Sequence, residues 1–254
     1  MLRFLRRMNN PGWLPGAPRN GPIMDKDLLS RYNSPEGAAD YLQKFERHWT
    51  ERVNNWNEQR LLQRLLRSAS ITGLNGLALD LPCGYGRLYY ILSNLGVSIV
   101  EGDWSFNLLG AARLFHAADR NSPSPAGYVR ATAFNLPFRD RSFELVLSVR
   151  LCHHIREHQE RVQYLREIMR VSRKWLLFTY FDTASIKNRT HDFRRRLNGK
   201  RSKWTLDSQE VREIARSAGF DVVQSIWMSR FFSGHRYVLL LRKDSASTSP
   251  AQRL

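Results

Sequence analysis

Cysteine is almost missing from the 254-residue chain: Cys83 and Cys152 are the only two. Two cannot build a disulfide framework or the four-ligand set of a structural zinc site, and the seven histidines are scattered without metal-ligand spacing. No metal is expected, and a reducing compartment is the expected home. No stretch approaches the roughly 18 to 20 consecutive apolar residues that a membrane-spanning helix needs. Acids are also scarce, with 23 Asp and Glu against 40 Lys and Arg and a net charge of +17. An excess of that size attracts phosphate, anionic lipid or acidic substrates. The expected partners are therefore an anionic substrate or a membrane surface, with nucleic acid less favoured. The expected location is cytoplasmic or peripheral to a membrane. Internal repeats are absent, and the length suits one domain with an appendage.

The charge is unevenly placed. Residues 1–24 carry Arg3, Arg6, Arg7 and Arg19 with no acid, and their prolines and glycines suit a flexible basic extension, taken to run over 1–33. Residues 183–205 hold a second basic cluster, including Arg194, Arg195 and Arg196, and read as a basic insertion. A domain is expected over 34–242, followed by a disordered tail over 243–254. Ser34-Pro35-Glu36 is a helix start, with a capping hydroxyl, a proline at the first position and an acid for the dipole. From there Tyr41, Phe45, Trp49, Val53 and Trp56 recur at helical spacing, and Leu61, Leu62, Leu65 and Leu66 follow. This predicts a helix over 34–67 whose stripe packs as core.

Beyond Gly73 short apolar runs alternate with helical patterns. Strands are expected at Gly76–Leu81, Val97–Val100, Tyr128–Ala131, Phe143–Ser148 and Trp175–Tyr180, with helices at 87–95, up to about 118, and at 157–172. Such alternation predicts a parallel sheet covered on both faces. A helix over 207–218 and two runs, Asp221–Trp227 and Tyr237–Arg242, close the pattern as a hairpin.

Glycines at the start of a helix that follows a strand let backbone amides approach a ligand closely. A dinucleotide fingerprint would need a third glycine where Tyr89 stands, and no Gly-Lys-Ser/Thr of a phosphate loop is present. The run Leu79-Asp80-Leu81-Pro82-Cys83-Gly84-Tyr85-Gly86-Arg87 instead resembles the first motif of class I S-adenosylmethionine-dependent methyltransferases. Three further stretches follow in the family's order: Asp103-Trp104-Ser105, the run from Arg130 through Leu136-Pro137-Phe138 to Val146, and Cys152-His153-His154-Ile155. The resemblance covers roughly residues 40–242. It implies a doubly wound Rossmann-like α/β sheet of seven strands with the last antiparallel, and an N-terminal helical lid over 34–67.

The resemblance further implies methyl transfer from S-adenosylmethionine to a small-molecule or lipid-linked acceptor, with RNA methylation or non-catalytic binding as alternatives. The cofactor-binding residues it implies are Asp80, Pro82, Cys83, Gly84, Gly86, Asp103, Trp104, Thr132, Ala133 and Ser148. Asp103 is preferred over Glu101 as the acid for the ribose, because a carboxylate accepts two hydrogen bonds from a vicinal diol and the spacing favours Asp103. Pro82 replaces a glycine of the motif, and Thr132 stands where an acid commonly meets the adenine amino group. His153 and His154 are candidate proton acceptors. Arg150, Tyr41 and Trp49 are candidate substrate contacts.

Overall fold

The computed structural model describes residues 34, 36–37, 40, 49–119, 123–185, 204–229 and 233–243. The expected extension 1–33, Tyr41, Phe45, the arginines of the basic insertion and the tail beyond Lys243 lie outside the described residues. The Ser34 hydroxyl accepts from the Gly37 amide at 2.9 Å, as the cap reading expects.

Helix α1 spans Trp49–Ser68, with Glu51 in its first turn and Arg67 in its last, each matched to the helix dipole. It buries Glu58, Leu62, Leu65 and Leu66, which recur at the spacing of one helical face. The stripe expected in the core is not there: Trp49, Val53 and Trp56 are 74%, 44% and 55% exposed. At about 100° per residue, Trp56 points roughly opposite to Glu58, so α1 cannot bury both faces on one sheet.

The strands are β1 (Leu77–Asp80), β2 (Ser98–Asp103), β3 (Gly127–Arg130), β4 (Phe143–Ser148), β5 (Ser172–Asp182), β6 (Thr205–Leu206), β7 (Phe220–Trp227) and β8 (His235–Arg242). The helices after α1 are α2 (Tyr89–Ser93), α3 (Phe106–Ala118), α4 (His158–Val171) and α5 (Ser208–Ser217). Seven strands run in the order β3-β2-β1-β4-β5-β8-β7. Strands β1 to β5 pair in parallel, and β8 runs antiparallel to both β5 and β7. The doubly wound sheet with its last strand antiparallel is thus as expected. The two residues of β6, parallel to the end of β5, add an eighth strand too short to show an alternating pattern.

Side chains alternate across the sheet and fill two cores. Val146 and Phe178 face the side of α4 and α5, with Tyr164, Leu165 and Ile168. Leu145, Leu147, Leu177 and Tyr237 face the opposite side, with Leu62, Leu65 and Leu66 of α1 and Leu92 of α2. The carboxyl ends of β1, β2 and β4 open to one edge, where ligands of open α/β sheets bind. Among the described residues no helix is long and apolar enough to cross a membrane.

Candidate functional site

The turn from Pro82 to Arg87 joins β1 to α2. The Leu81–Pro82 peptide is cis, and Gly84 and Gly86 take φ of 60° and 82°, the left-handed region that favours glycine. A side chain on Gly86 would run into the His116 ring and reach within 3.0 Å of Glu101 Oε1. The turn is tied to the sheet by the Cys83 amide, which donates to the Gly102 carbonyl at 2.8 Å.

Asp103 ends β2 directly beside this turn. Its carboxylate accepts from the Gly84 amide at 3.0 Å and the Ser105 amide at 2.8 Å. Burial raises its pKa to about 6, against the pull of these backbone bonds. A carboxylate offers about four acceptor positions, so capacity for a diol remains after both amides are counted. Trp104 borders it, with the Arg130 guanidinium 5.1 Å above the indole and Arg130 Nε donating to the Trp104 carbonyl at 3.1 Å. Glu101 shares Asp103's side of β2, as strand alternation expects. It is fully buried and pairs with His116 Nε2 at 3.0 Å, whereas Asp103 is held by backbone amides.

Asp80, at the end of β1, is fully buried, and neither carboxylate oxygen has a hydrogen-bond partner. Burial and the charge of Glu101 push its pKa well up, against the pull of Arg87. Cys83 is buried with its thiol pushed up by the same burial and the three neighbouring acids. Cys152 is buried and raised to about 12, so neither thiol is placed to attack a substrate. Thr132 turns its hydroxyl to the Phe134 amide at 3.3 Å, and Ala133 beside it is buried.

Ser148, at the end of β4, is fully buried, and its hydroxyl bonds Tyr164 of α4 at 2.7 Å. Alternation along β4 explains this, because Ser148 shares the face of Val146. Trp49, at the start of α1, is exposed.

Beyond β4 the chain turns through Arg150, a non-glycine residue at φ 64°. Its amide donates to Thr179 Oγ1 at 2.7 Å, and its Nε donates to Glu58 at 3.0 Å. Glu58 was missed by the sequence reading. Its carboxylate also meets Arg87 at 2.8 Å and the Tyr237 hydroxyl, so it joins α1 to the glycine turn, the loop after β4, and β8. Burial would raise this carboxyl, but the Arg87 and Arg150 charges and the Tyr237 bond overcome it and hold it at about 2. The available signal was an acid standing four, seven and eight residues before Leu62, Leu65 and Leu66.

His153 and His154 lie on the short 3-10 turn Cys152–His154, whose end is held by buried Arg161 donating to the Ile155 and Arg156 carbonyls at 2.9 and 2.8 Å. The His153 ring stacks on Phe181 at 4.2 Å and 30°, with His154 at 4.1 Å and His235 edge-on at 4.8 Å. An aromatic platform thus forms where β4, β5 and β8 meet.

Comparisons with known proteins agree with this geometry. Residues 79–175 match the model of a family described as a methyltransferase domain. A protein of Encephalitozoon cuniculi that carries a methyltransferase name is 29% identical over 165 residues, 58% of this chain and 71% of its own. Among solved structures, magnesium protoporphyrin IX methyltransferase from Synechocystis PCC 6803, crystallised with bound SAH, superposes with a TM-score of 0.72 at 14% identity, covering 85% of this chain and 99% of that one. The [4+2]-cyclase SpnF superposes with a TM-score of 0.55 at 16% identity over 72% and 80% of the two chains, so the fold alone does not fix the reaction. Residues 79–175 thus carry a match to a methyltransferase domain, on a fold shared with methyltransferases of known structure.

Proposed function

We propose that the chain transfers the methyl group of S-adenosylmethionine to a small-molecule or lipid-linked acceptor carrying an anionic group. The observation that carries the cofactor half is Asp103, locked by the Gly84 and Ser105 amides with acceptor capacity left for two ribose hydroxyls. Asp80 fits the same ligand, since its unpartnered carboxyl behind the turn favours the approach of a cationic amino-acid end. Trp104 supplies a wall beside the ribose, and Thr132, Ala133 and Phe134 supply the adenine side. The sulfonium is already activated when bound, so the protein's task is placement in line with the acceptor.

The acceptor half rests on Arg150. Among the described residues its Nε pairs with Glu58, and the side chain is about one fifth exposed, so the guanidinium has donors beyond Nε for an incoming oxyanion. A left-handed backbone at a non-glycine residue stores strain of about 1–3 kcal/mol, which fits a position fixed for function. His153, Phe181 and His235 offer a flat surface for the body of the acceptor, and His153 and His154 are the side chains available to take its proton.

Incubating the purified chain with methyl-labelled S-adenosylmethionine and a fractionated cell extract tests this reading. Label in the small-molecule or lipid fraction supports it. Label confined to RNA, or no acceptor in any fraction, refutes it.

A further inference from the structure

The exposed face of α1 is unlike an ordinary solvated helix surface. Trp49, Val53 and Trp56 stand out from it at spacings of four and three, and all three are exposed. The same line continues through Arg60, Arg64 and Arg67, again exposed and at spacings of four, four and three. Arg52 lies beside Val53 and is exposed as well. No exposed residue of α1 is acidic, because Glu58 is turned into the core and Glu51 is half-buried. The face is therefore an apolar ridge at one end and a cationic strip at the other.

We propose that this face docks on an anionic bilayer surface, with the two tryptophans and Val53 seated at the headgroup boundary and the arginines on lipid phosphates. Tryptophan is amphipathic and settles at that boundary, while arginine keeps its charge among headgroups and lays its stem along the apolar surface. The charge complementarity extends beyond the helix, since the whole chain carries +17. The details of the ridge favour a bilayer over a nucleic acid. A base would need an open indole face to stack on. The Arg60 guanidinium already sits 4.5 Å above the Trp56 ring, covering one face.

The position of the face matters for the site. Helix α1 holds Arg87 and Arg150 through Glu58, so the element that would rest on the membrane is the one braced against both the glycine turn and the acceptor loop. An acceptor resident in the bilayer would then meet the site without crossing bulk water. The docking surface itself does not depend on methyl transfer, and the two readings fail separately.

Sedimentation of the full chain with phosphatidylcholine vesicles, with and without phosphatidylglycerol, tests the proposal. The wild-type chain is expected to pellet with the anionic vesicles only. Replacing the tryptophans (W49A/W56A) or the arginines (R60Q/R64Q) is expected to lower the partition coefficient about tenfold or more. Both variants should keep S-adenosylhomocysteine binding, because the altered side chains face outward. A wild-type chain that stays in the supernatant, or a W49A/W56A chain that pellets like wild type, overturns it. Brominated lipid in the same vesicles supplies a readout that tolerates a poorly folding variant. It should quench the wild-type tryptophan emission, and the conservative W49F/W56F chain should lose most of that quench. Equal quenching of both overturns the placement. Retention on poly(U) that W49A/W56A abolishes, with vesicle binding intact, would assign the face to nucleic acid instead.

Discussion

Glu58 and Arg150 stand 92 residues apart in the chain and meet at 3.0 Å, one on the helix that covers the sheet and the other in the loop after β4. The carboxylate is fully buried, while the guanidinium is about one fifth exposed. A buried acid of this kind is tolerable only with its partners in place, and it has Arg87 and Tyr237 besides Arg150. The arrangement makes the glycine turn, the loop after β4 and α1 one mechanical unit.

Removing the charge should therefore be costly. Glu58→Gln leaves two guanidiniums facing an amide and is expected to lower the unfolding free energy by about 3–5 kcal/mol. Urea denaturation followed by circular dichroism measures it. A loss within about 0.5 kcal/mol would mean that the network is ornamental.

The pH profile of stability carries two opposed slopes. Glu58 is held at about 2 against an ordinary 4.5, so its contribution is complete above about pH 4.5 and drains away as pH falls toward 2. Asp103 is raised from 3.8 to about 6, so it favours the folded state below about pH 4 and loses that contribution as pH rises through 6. Each amounts to about 3 kcal/mol. Denaturation at several pH values should show Glu58→Gln losing the acid-side fall and Asp103→Asn losing the decline between 4 and 6. Identical profiles in all three proteins would remove both assignments.

Much of this was legible in the chain. A short apolar run placed β4 at Phe143–Ser148 as observed, and Gly219 marked the end of the helix before β7. The acid at Asp103 was found from its spacing to the glycine turn. The failures have physical reasons. Trp49, Val53 and Trp56 form a sound amphipathic stripe, but periodicity says that a face is apolar and not which surface it meets. Glu58 looked like one polar residue among many, because its worth comes from Arg87, Arg150 and Tyr237, which arrive from distant parts of the chain. Ser148 shares parity with Val146, so its side chain faces Tyr164 of α4.

That parity yields an expectation of its own. Ser148→Ala loses the bond to Tyr164 and should cost about 1 kcal/mol of stability, because a buried hydroxyl is left without its partner. Its affinity for S-adenosylhomocysteine should match wild type. A large loss of affinity with stability unchanged would place Ser148 at the cofactor edge.

Gly86 should tolerate nothing larger. Alanine there combines a strained left-handed backbone, about 1–3 kcal/mol, with a clash against the His116 ring. Gly86→Ala is expected to lower the melting temperature and abolish S-adenosylhomocysteine binding in a titration. Normal binding by the variant would show that the turn is roomier than its packing implies.

The central claim is that Asp103 receives the ribose of S-adenosylmethionine. Titration calorimetry of S-adenosylhomocysteine into the wild-type and Asp103→Ala chains at pH 8, where the carboxylate is ionised, tests it most directly. Wild-type binding is expected, with a loss in Asp103→Ala of about 1.5–3 kcal/mol for each charged hydrogen bond removed, roughly tenfold or more in affinity. No heat with the wild-type chain, or equal affinity in both, would contradict it.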